Sequence, residues 1–292
     1  MSYTGRFAPS PTGPLHFGSL LAALASYLDA KSQQGRWLIR IENLDPPREV
    51  PGAADSILRT LDRFGFEWDQ TVMFQSDRED YYRSILQQLI ERKLAYPCSC
   101  SRTALKARKA LEQYDQHCLK YPPDPALPLA IRARITEQRL HFKDRIQGSQ
   151  TADPSELGDF IIFRRDQLFA YQLAVVADDI AQGVNHIVRG ADLLRETFAQ
   201  IQLYQHLNLP IPSYAHIPLA LTNQGQKLSK QNLAPSIEQL PIVETLIQAL
   251  LFLGQQVPEN VLNFTKESLL EWAISNWRLE GVPKTTAVLT GS

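Results

Sequence analysis

The chain has 292 residues, of which 44% are apolar and 21% charged, and its formal net charge is −1. These values are typical of a globular protein large enough for one main domain with an insertion. We find no run of about 18 apolar residues and no signal-peptide pattern, so we expect neither a membrane span nor export. The expected location is the cytoplasm. The near-neutral charge is not the usual sign of a nucleic-acid-binding domain, although it allows a local basic face.

The N-terminal segment predicts a strand, a tight loop and a helix. Residues 3–8 mix apolar and basic side chains as in a short strand, and the prolines and glycine of residues 9–14 interrupt regular structure. From Ser19 onwards apolar residues recur every three or four positions, as on an amphipathic helix. His16 and Gly18 therefore lie at the helix entrance, where unpaired backbone N–H groups attract phosphate oxygens. An ordinary helix-entry loop capped by Ser19 has the same pattern.

The elements that follow alternate between strands and helices. The patterns predict a strand at 37–42, helices that begin at Ala53 and Asp80, and a sheet that resumes at about Phe169. This alternation indicates an α/β fold with a doubly wound, mostly parallel, Rossmann-like sheet that binds ligands at the carboxyl ends of its strands.

An insertion interrupts this sheet. It contains a proline-rich linker at 121–125 and predicted strands near 130–135 and 159–164. The expected units are the first half of the Rossmann-like domain (1–95), the insertion (96–165), the second half of that domain (166–235) and a short helical C-terminal region (236–292).

Three cysteines in the insertion suggest a metal site. Cys98 and Cys100 flank a single residue, and Cys118 follows later in the chain. An odd number of cysteines argues against a disulfide framework, whereas three thiolates provide three of the four ligands of tetrahedral zinc. His117 is the better zinc ligand by chemistry, but Tyr114 lies one helical turn before Cys118. Three free thiols remain the alternative.

A lysine-containing segment follows an apolar run late in the chain. Residues 215–221 predict a buried strand, and residues 223–225 predict a turn. Lys227 and Lys230 come directly afterwards, so both can reach a ligand at the sheet edge.

The two segments together resemble the "HIGH" and "KMSKS" signatures of class I aminoacyl-tRNA synthetases. Residues 6–13, 38–42, 171–179 and 183–192 are also similar to glutamyl-tRNA synthetases. The resemblance covers roughly residues 3–235, which is too much of the chain for a chance motif match.

Several departures resemble a truncated paralogue family, the glutamyl-queuosine tRNA(Asp) synthetases. They are residues 46–49, with the sequence Pro-Pro-Arg-Glu, and Gln231 after the second lysine. Only 61 residues follow Gln231, with helical signals at 237–253, 259–264 and 266–277. Because a full-length glutamyl enzyme has a large anticodon-binding region there, we expect that region to be missing. Val175 stands where full-length enzymes usually carry asparagine, and Ser19 replaces the second histidine of the first signature.

The resemblance implies an ATP- and Mg²⁺-dependent ligase. It would activate glutamate to glutamyl adenylate and transfer it to the queuosine base in the anticodon of tRNA(Asp), and we expect it to act as a monomer. One alternative is a shortened glutamyl-tRNA synthetase that charges a tRNA 3′ end. Another is a non-catalytic binding module that has kept the fold.

The resemblance also implies the site residues. The catalytic pair would be His16 and Lys230, and ATP would be bound by His16, Gly18, Ser19, Lys227 and Lys230. Glutamate would be bound by Arg6, Ala8, Ser10, Glu42, Tyr171 and Arg189. A structural zinc ion, about one per chain, would be bound by Cys98, Cys100, Tyr114 and Cys118.

Overall fold

The computed structural model describes residues 2–111, 113–136, 139–153, 157–222, 224–226 and 236–290. The strands are β1 (Thr4–Phe7), β2 (Arg36–Ile41), β3 (Met73–Phe74), β4 (Ala95–Cys98), β5 (Ala130–Ala133), β6 (Leu140–Asp144), β7 (Gly148–Ala152), β8 (Phe160–Phe163), β9 (His186–Gly190), β10 (Ser213–Ile217), β11 (Leu219–Leu221) and β12 (Ala287–Leu289). The helices are α1 (Phe17–Lys31), α2 (Ala53–Arg63), α3 (Glu79–Glu91), α4 (Arg102–Ala107), α5 (His117–Lys120), α6 (Tyr171–Ala181), α7 (Glu196–Leu207), α8 (Ile242–Phe252) and α9 (Lys266–Asn276). In these ranges no helix has both the length and the apolar character needed to cross a membrane.

Two groups of parallel strands form the central sheet. β1, β2 and β3 pair in that order, and β9 pairs with β10. The groups meet at Asn185, whose backbone N–H donates to the Thr4 carbonyl at 3.0 Å and whose side-chain oxygen accepts from the Thr4 N–H at 2.8 Å. β1 and β9 are therefore neighbours, and the crevice at their carboxyl ends is the expected position for a ligand.

Helix α1 is surrounded by strands and other helices on nearly all sides, and its residues are correspondingly apolar on nearly all sides. Leu20, Leu24 and Leu28 are fully buried, and α1 belongs to the same core as β1, β2 and the C-terminal helices α8 and α9. Trp37 on β2 is also fully buried, and its indole N–H donates to Ser26 of α1 at 2.9 Å. This packing fixes the start of α1 relative to the strand ends.

The insertion carries its own antiparallel sheet, in the order β4, β5, β8. β5 and β8 confirm the strands predicted near 130–135 and 159–164. The hairpin of β6 and β7 was not predicted, and it reaches the central sheet because the Arg145 N–H donates to the Tyr214 carbonyl at 2.8 Å.

Some predicted elements are wrong. The sheet does not resume at Phe169, because residues 171–181 form helix α6. The predicted strand at 215–221 is divided at Pro218 into β10 and β11, and β11 pairs instead with β12. Of the helix predicted at 259–264 only a single 3₁₀ turn at Val261–Asn263 forms, and the helix predicted at 237–253 begins at Ile242, after Pro241.

Candidate active site

His16 caps the helix that begins at the strand ends. Its backbone is extended, and its Nδ1 accepts a hydrogen bond from the Ser19 N–H at 3.3 Å. The alternative interpretation, a helix-entry loop capped by Ser19, is therefore wrong about the capping residue. Because the first turn of a helix carries unpaired N–H groups and a partial positive charge, this end of α1 suits an anionic ligand.

A cavity of about 430 Å³ opens at this helix end. His16, Gly18 and Ser19 line it, together with residues at and after the carboxyl ends of β9 and β10, such as Gly190 and Asp192. Ser10 also lines it, whereas Lys227 and Lys230 lie outside the described residues. The cavity therefore lies where the α/β topology predicts a nucleotide.

Three of the predicted glutamate ligands are buried behind this end of the sheet. Arg6 donates through Nε to Asp179 at 3.1 Å, and Glu42 accepts from Arg40 at 3.3 Å. Arg6 and Glu42 are thus members of internal ion pairs, which is the usual arrangement of charged side chains in a protein interior. Arg189 is the exception among the three.

Arg189 is buried without a carboxylate partner among the described residues. Its Nε donates to His216 Nε2 at 3.0 Å and its Nη2 to the Thr197 hydroxyl at 2.8 Å, while its Nη1 has no hydrogen-bond partner. A buried cation with one unpaired N–H edge is costly unless an anion completes it. An arginine fork of this kind suits a carboxylate.

Tyr171 lies within the field of these charges. Burial raises the pKa of its hydroxyl to about 12, with a further increase from the Glu42 carboxylate, while the guanidinium groups of Arg189 and Arg6 act in the opposite direction. Burial likewise raises the pKa of Glu42, opposed by Arg40 and Arg6. Tyr171 starts α6 rather than ending a strand. Ala8 is half-buried and Ser10 exposed on the loop after β1.

Sequence reasoning missed the residues that hold this group together. Arg40 donates to Asp179 at 2.8 Å and to Gln182 at 2.8 Å. Asp178 accepts from the Tyr82 hydroxyl at 2.7 Å and from Gln75 at 2.9 Å. The only sequence signal for this network was a pair of aspartates, 178 and 179, inside an otherwise apolar run.

The cysteines of the insertion form a compact group. The sulfur atoms of Cys98, Cys100 and Cys118 all lie within 4.8 Å of one another, so this group could hold a metal ion. The Tyr114 hydroxyl lies 3.4 Å from the Cys98 sulfur and 3.5 Å from the Cys100 sulfur. His117 is not part of the group, and its ring packs near that of Tyr121 at 5.1 Å between centroids.

The donor set fits zinc. Three thiols and a phenol lie close together, and thiolate ligands are typical of closed structural zinc sites. Burial opposes ionisation of Cys118, but hydrogen bonds from the Tyr114 hydroxyl and the Ser99 backbone lower the pKa of this thiol to about 7. Cys118 is therefore the thiol closest to the ionised state that metal binding requires, whereas burial raises the pKa of Cys100.

Comparison with known proteins agrees with this architecture. The family model for class I tRNA synthetases (E and Q), catalytic domain, matches residues 3–268. Two solved structures share the fold. A glutamate tRNA ligase from Elizabethkingia meningosepticum has a TM-score of 0.85 at 22% identity, over 100% of this chain and 67% of that one. The glutamate-tRNA synthetase from Elizabethkingia anophelis has a TM-score of 0.84 at 24% identity, over 98% and 68%. The fold and the matched family thus define a class I tRNA synthetase catalytic domain.

Curated relatives identify the family within this class of synthetases. The glutamyl-Q tRNA(Asp) synthetase of Serratia proteamaculans is 51% identical over 98% of this chain and 94% of its own length. The protein of the same name from Escherichia coli K12 is 51% identical over 98% of this chain and 92% of its own. The chain belongs to the glutamyl-Q tRNA(Asp) synthetase family.

Proposed function

We propose that this chain activates glutamate with ATP and transfers it to the queuosine base in the anticodon of tRNA(Asp). The open Nη1 edge of Arg189 carries the glutamate assignment, because it is a buried N–H donor without a partner, on the strand whose last residue, Gly190, lines the nucleotide-sized cavity. The proposed RNA substrate rests on family membership, since the relatives are named for tRNA(Asp).

The first step is displacement at phosphorus. An oxygen of the glutamate α-carboxylate bonds to the α-phosphorus of ATP, the bond from that phosphorus to the bridging oxygen breaks, and pyrophosphate leaves. Positioning and charge neutralisation drive such a step. His16, the Gly18 N–H group and the Ser19 hydroxyl bind phosphate oxygens, and Lys227 and Lys230 supply positive charge. Mg²⁺ bound to the phosphates would neutralise further charge.

The amino acid is held by the buried group. Arg189 and Arg6 bind carboxylate oxygens, Glu42 accepts from the ammonium, and Tyr171 forms a wall of the pocket. Ser10 and Ala8 contact the substrate from the loop after β1. In the second step a hydroxyl of the queuosine ring attacks the activated carbonyl, loses its proton and displaces AMP.

Zinc completes the insertion. Cys98, Cys100, Cys118 and Tyr114 would hold the ion, which would cross-link β4 to α5. Its contribution is structural, because four protein ligands leave no position for a substrate.

ATP–pyrophosphate exchange without tRNA tests the activation step. Glutamate should support exchange, whereas aspartate and glutamine should work poorly. Lys230→Ala should reduce the rate by about a hundredfold, because its charge acts mainly as the phosphates reorganise. Lys143→Ala, at an exposed position on β6, is the matched control and should leave the rate unchanged.

Two results would contradict the proposal. Folded, metal-loaded protein that supports no exchange with glutamate would favour a non-catalytic binding module. Exchange that is as fast with aspartate as with glutamate would contradict the proposed specificity for glutamate.

A further inference from the structure

A hydrogen-bonded chain of three buried side chains ends at Arg189. Asp144 Oδ2 lies 2.6 Å from His216 Nδ1, and His216 Nε2 lies 3.0 Å from Arg189 Nε. Asp144 ends β6 and Arg189 lies on β9, with His216 between them on β10. The chain therefore joins the hairpin of the insertion to the predicted glutamate site.

Donor and acceptor roles along the chain are fixed. Arginine stays protonated, so its Nε–H donates and His216 Nε2 must accept. The imidazole proton then resides on Nδ1, where it is donated to Asp144. His216 is accordingly neutral, in a single tautomer set by the carboxylate.

Asp144 is itself held in one orientation. Its Oδ1 accepts from three backbone N–H groups, those of Ile146 at 2.9 Å, Gln147 at 2.8 Å and His216 at 3.1 Å. Oδ2 is thereby directed at the imidazole. Although burial opposes it, these hydrogen bonds, with that from His216, keep the pKa of Asp144 below its usual value.

We propose that His216, oriented by Asp144, is a positioning residue that fixes Arg189 with its Nη1 edge open to the carboxylate of the amino-acid substrate. This inference rests on the proposed function and specifies how the substrate is held. His216 itself does not touch the substrate. With Nε bound by His216 and Nη2 by Thr197, Nη1 is the part of the guanidinium left for a ligand.

Protonation of His216 is incompatible with this arrangement. A second imidazole proton would place an N–H opposite the Arg189 Nε–H, and two cations would meet in a buried site. Asp144, Arg189 and Asp192 are the charged groups that act on the ring, and Thr197 is its uncharged neighbour at 3.2 Å. Burial lowers the pKa of His216, Asp144 and Asp192 raise it, and Arg189 lowers it further, with a net decrease.

Three variants separate positioning from packing. His216→Phe keeps the ring volume but removes the acceptor. His216→Gln retains an acceptor near the Nε2 position. In Asp144→Asn the three backbone donors keep the amide oxygen at the Oδ1 position, so the NH₂ group donates to His216 Nδ1 and moves the imidazole proton to Nε2. The wrong tautomer then faces Arg189. His206→Phe changes another buried histidine, on α7, and serves as the control for lost packing.

The measurement is the KM for glutamate and for ATP in pyrophosphate exchange. His216→Phe and Asp144→Asn should each raise the glutamate KM about tenfold to a hundredfold, with the ATP KM within about twofold of wild type. The double variant should raise the glutamate KM little further than either single variant, since both changes break the same hydrogen bond between His216 and Arg189. His216→Gln should stay within about threefold of wild type, and His206→Phe should change neither KM. Between about pH 8 and pH 5 the glutamate KM of the wild type should rise as His216 protonates, and that of His216→Gln should not.

The outcomes are distinguishable. If wild type activates glutamate while His216→Phe or Asp144→Asn keeps its glutamate KM, the positioning role alone is overturned. Equal increases in the two KM values would also overturn it, because they indicate general damage. If the wild type neither supports exchange nor binds glutamate in calorimetry, the proposed function fails, and the inference that rests on it fails with it.

Discussion

Arg40 shows how buried charge is stabilised next to the site. Its guanidinium is fully buried and lies within 3.9 Å of Asp178, 2.8 Å of Asp179 and 3.3 Å of Glu42. Asp179 also binds Arg6 at 3.1 Å, so one carboxylate fixes two arginines. Each charge has a partner, and removing one partner would leave another uncompensated.

Asp179→Asn should therefore destabilise the protein by about 3–5 kcal/mol, because it leaves the buried Arg6 guanidinium without its carboxylate and removes one of the three carboxylates around Arg40. Asp166→Asn removes an exposed ion pair with Arg164 and should cost less than about 1 kcal/mol. Denaturant unfolding of both variants provides the comparison. Similar free energies of unfolding for the two would contradict the account of the network.

The same carboxylate gives a pH dependence of stability. Burial would raise the pKa of Asp179, but Arg6 and Arg40 lower it below its ordinary 3.8. A lowered folded-state pKa stabilises the protein fully above the ordinary pKa, and this contribution is lost as the pH falls through the folded value. Unfolding measured from neutral to acidic pH should show a loss at low pH that is smaller in Asp179→Asn.

At the scale of elements, the proposed zinc site would join β4 to α5 through Cys98 and Cys118. Purified protein should contain about one zinc ion per chain, and Cys118→Ser and Tyr114→Phe should each lower the zinc content. His117→Asn is the matched control, because His117 lies outside the thiol group and should keep the metal. Zinc-free wild-type protein with three titratable thiols would rule out the site. Loss of zinc in His117→Asn would instead identify His117, rather than Tyr114, as the fourth ligand.

Elements with strong local signals could be predicted from the sequence. Helices α2, α3 and α9 begin within one residue of their predicted positions, since polar and apolar residues alternate on them with helical period. Helix α6 could not be recognised, because a short apolar run with β-branched residues has no period that distinguishes a buried helix from a buried strand. The hairpin of β6 and β7 has mostly polar residues, few of which are buried, and it gave no signal.

The residues of the candidate site likewise fall into those that the sequence indicates and those that it does not. Motif residues such as His16 and Arg189 could be predicted, because they lie in segments that resemble a family. Their supporting residues could not. Asp144 and His216 are 72 residues apart, and their contact exists only after the hairpin packs against β10. The sequence alone cannot show such long-range pairing.

For the whole molecule, the catalytic architecture belongs to a class that charges tRNA, and the proposed acceptor is a base within the anticodon. A loop base can be unstacked and presented to an active site more easily than a paired base. The choice between this base and the terminal ribose separates the proposed function from a shortened glutamyl-tRNA synthetase.

Glutamate transfer to trimmed tRNA(Asp) tests that choice directly. Radiolabelled glutamate and ATP would be supplied with queuosine-containing tRNA(Asp), the same tRNA without its 3′-terminal adenosine, and queuosine-free tRNA(Asp). We predict equal labelling of the first two and none of the third. Loss of labelling on removal of the 3′ adenosine, or equal labelling of queuosine-free tRNA, would contradict transfer to the anticodon base.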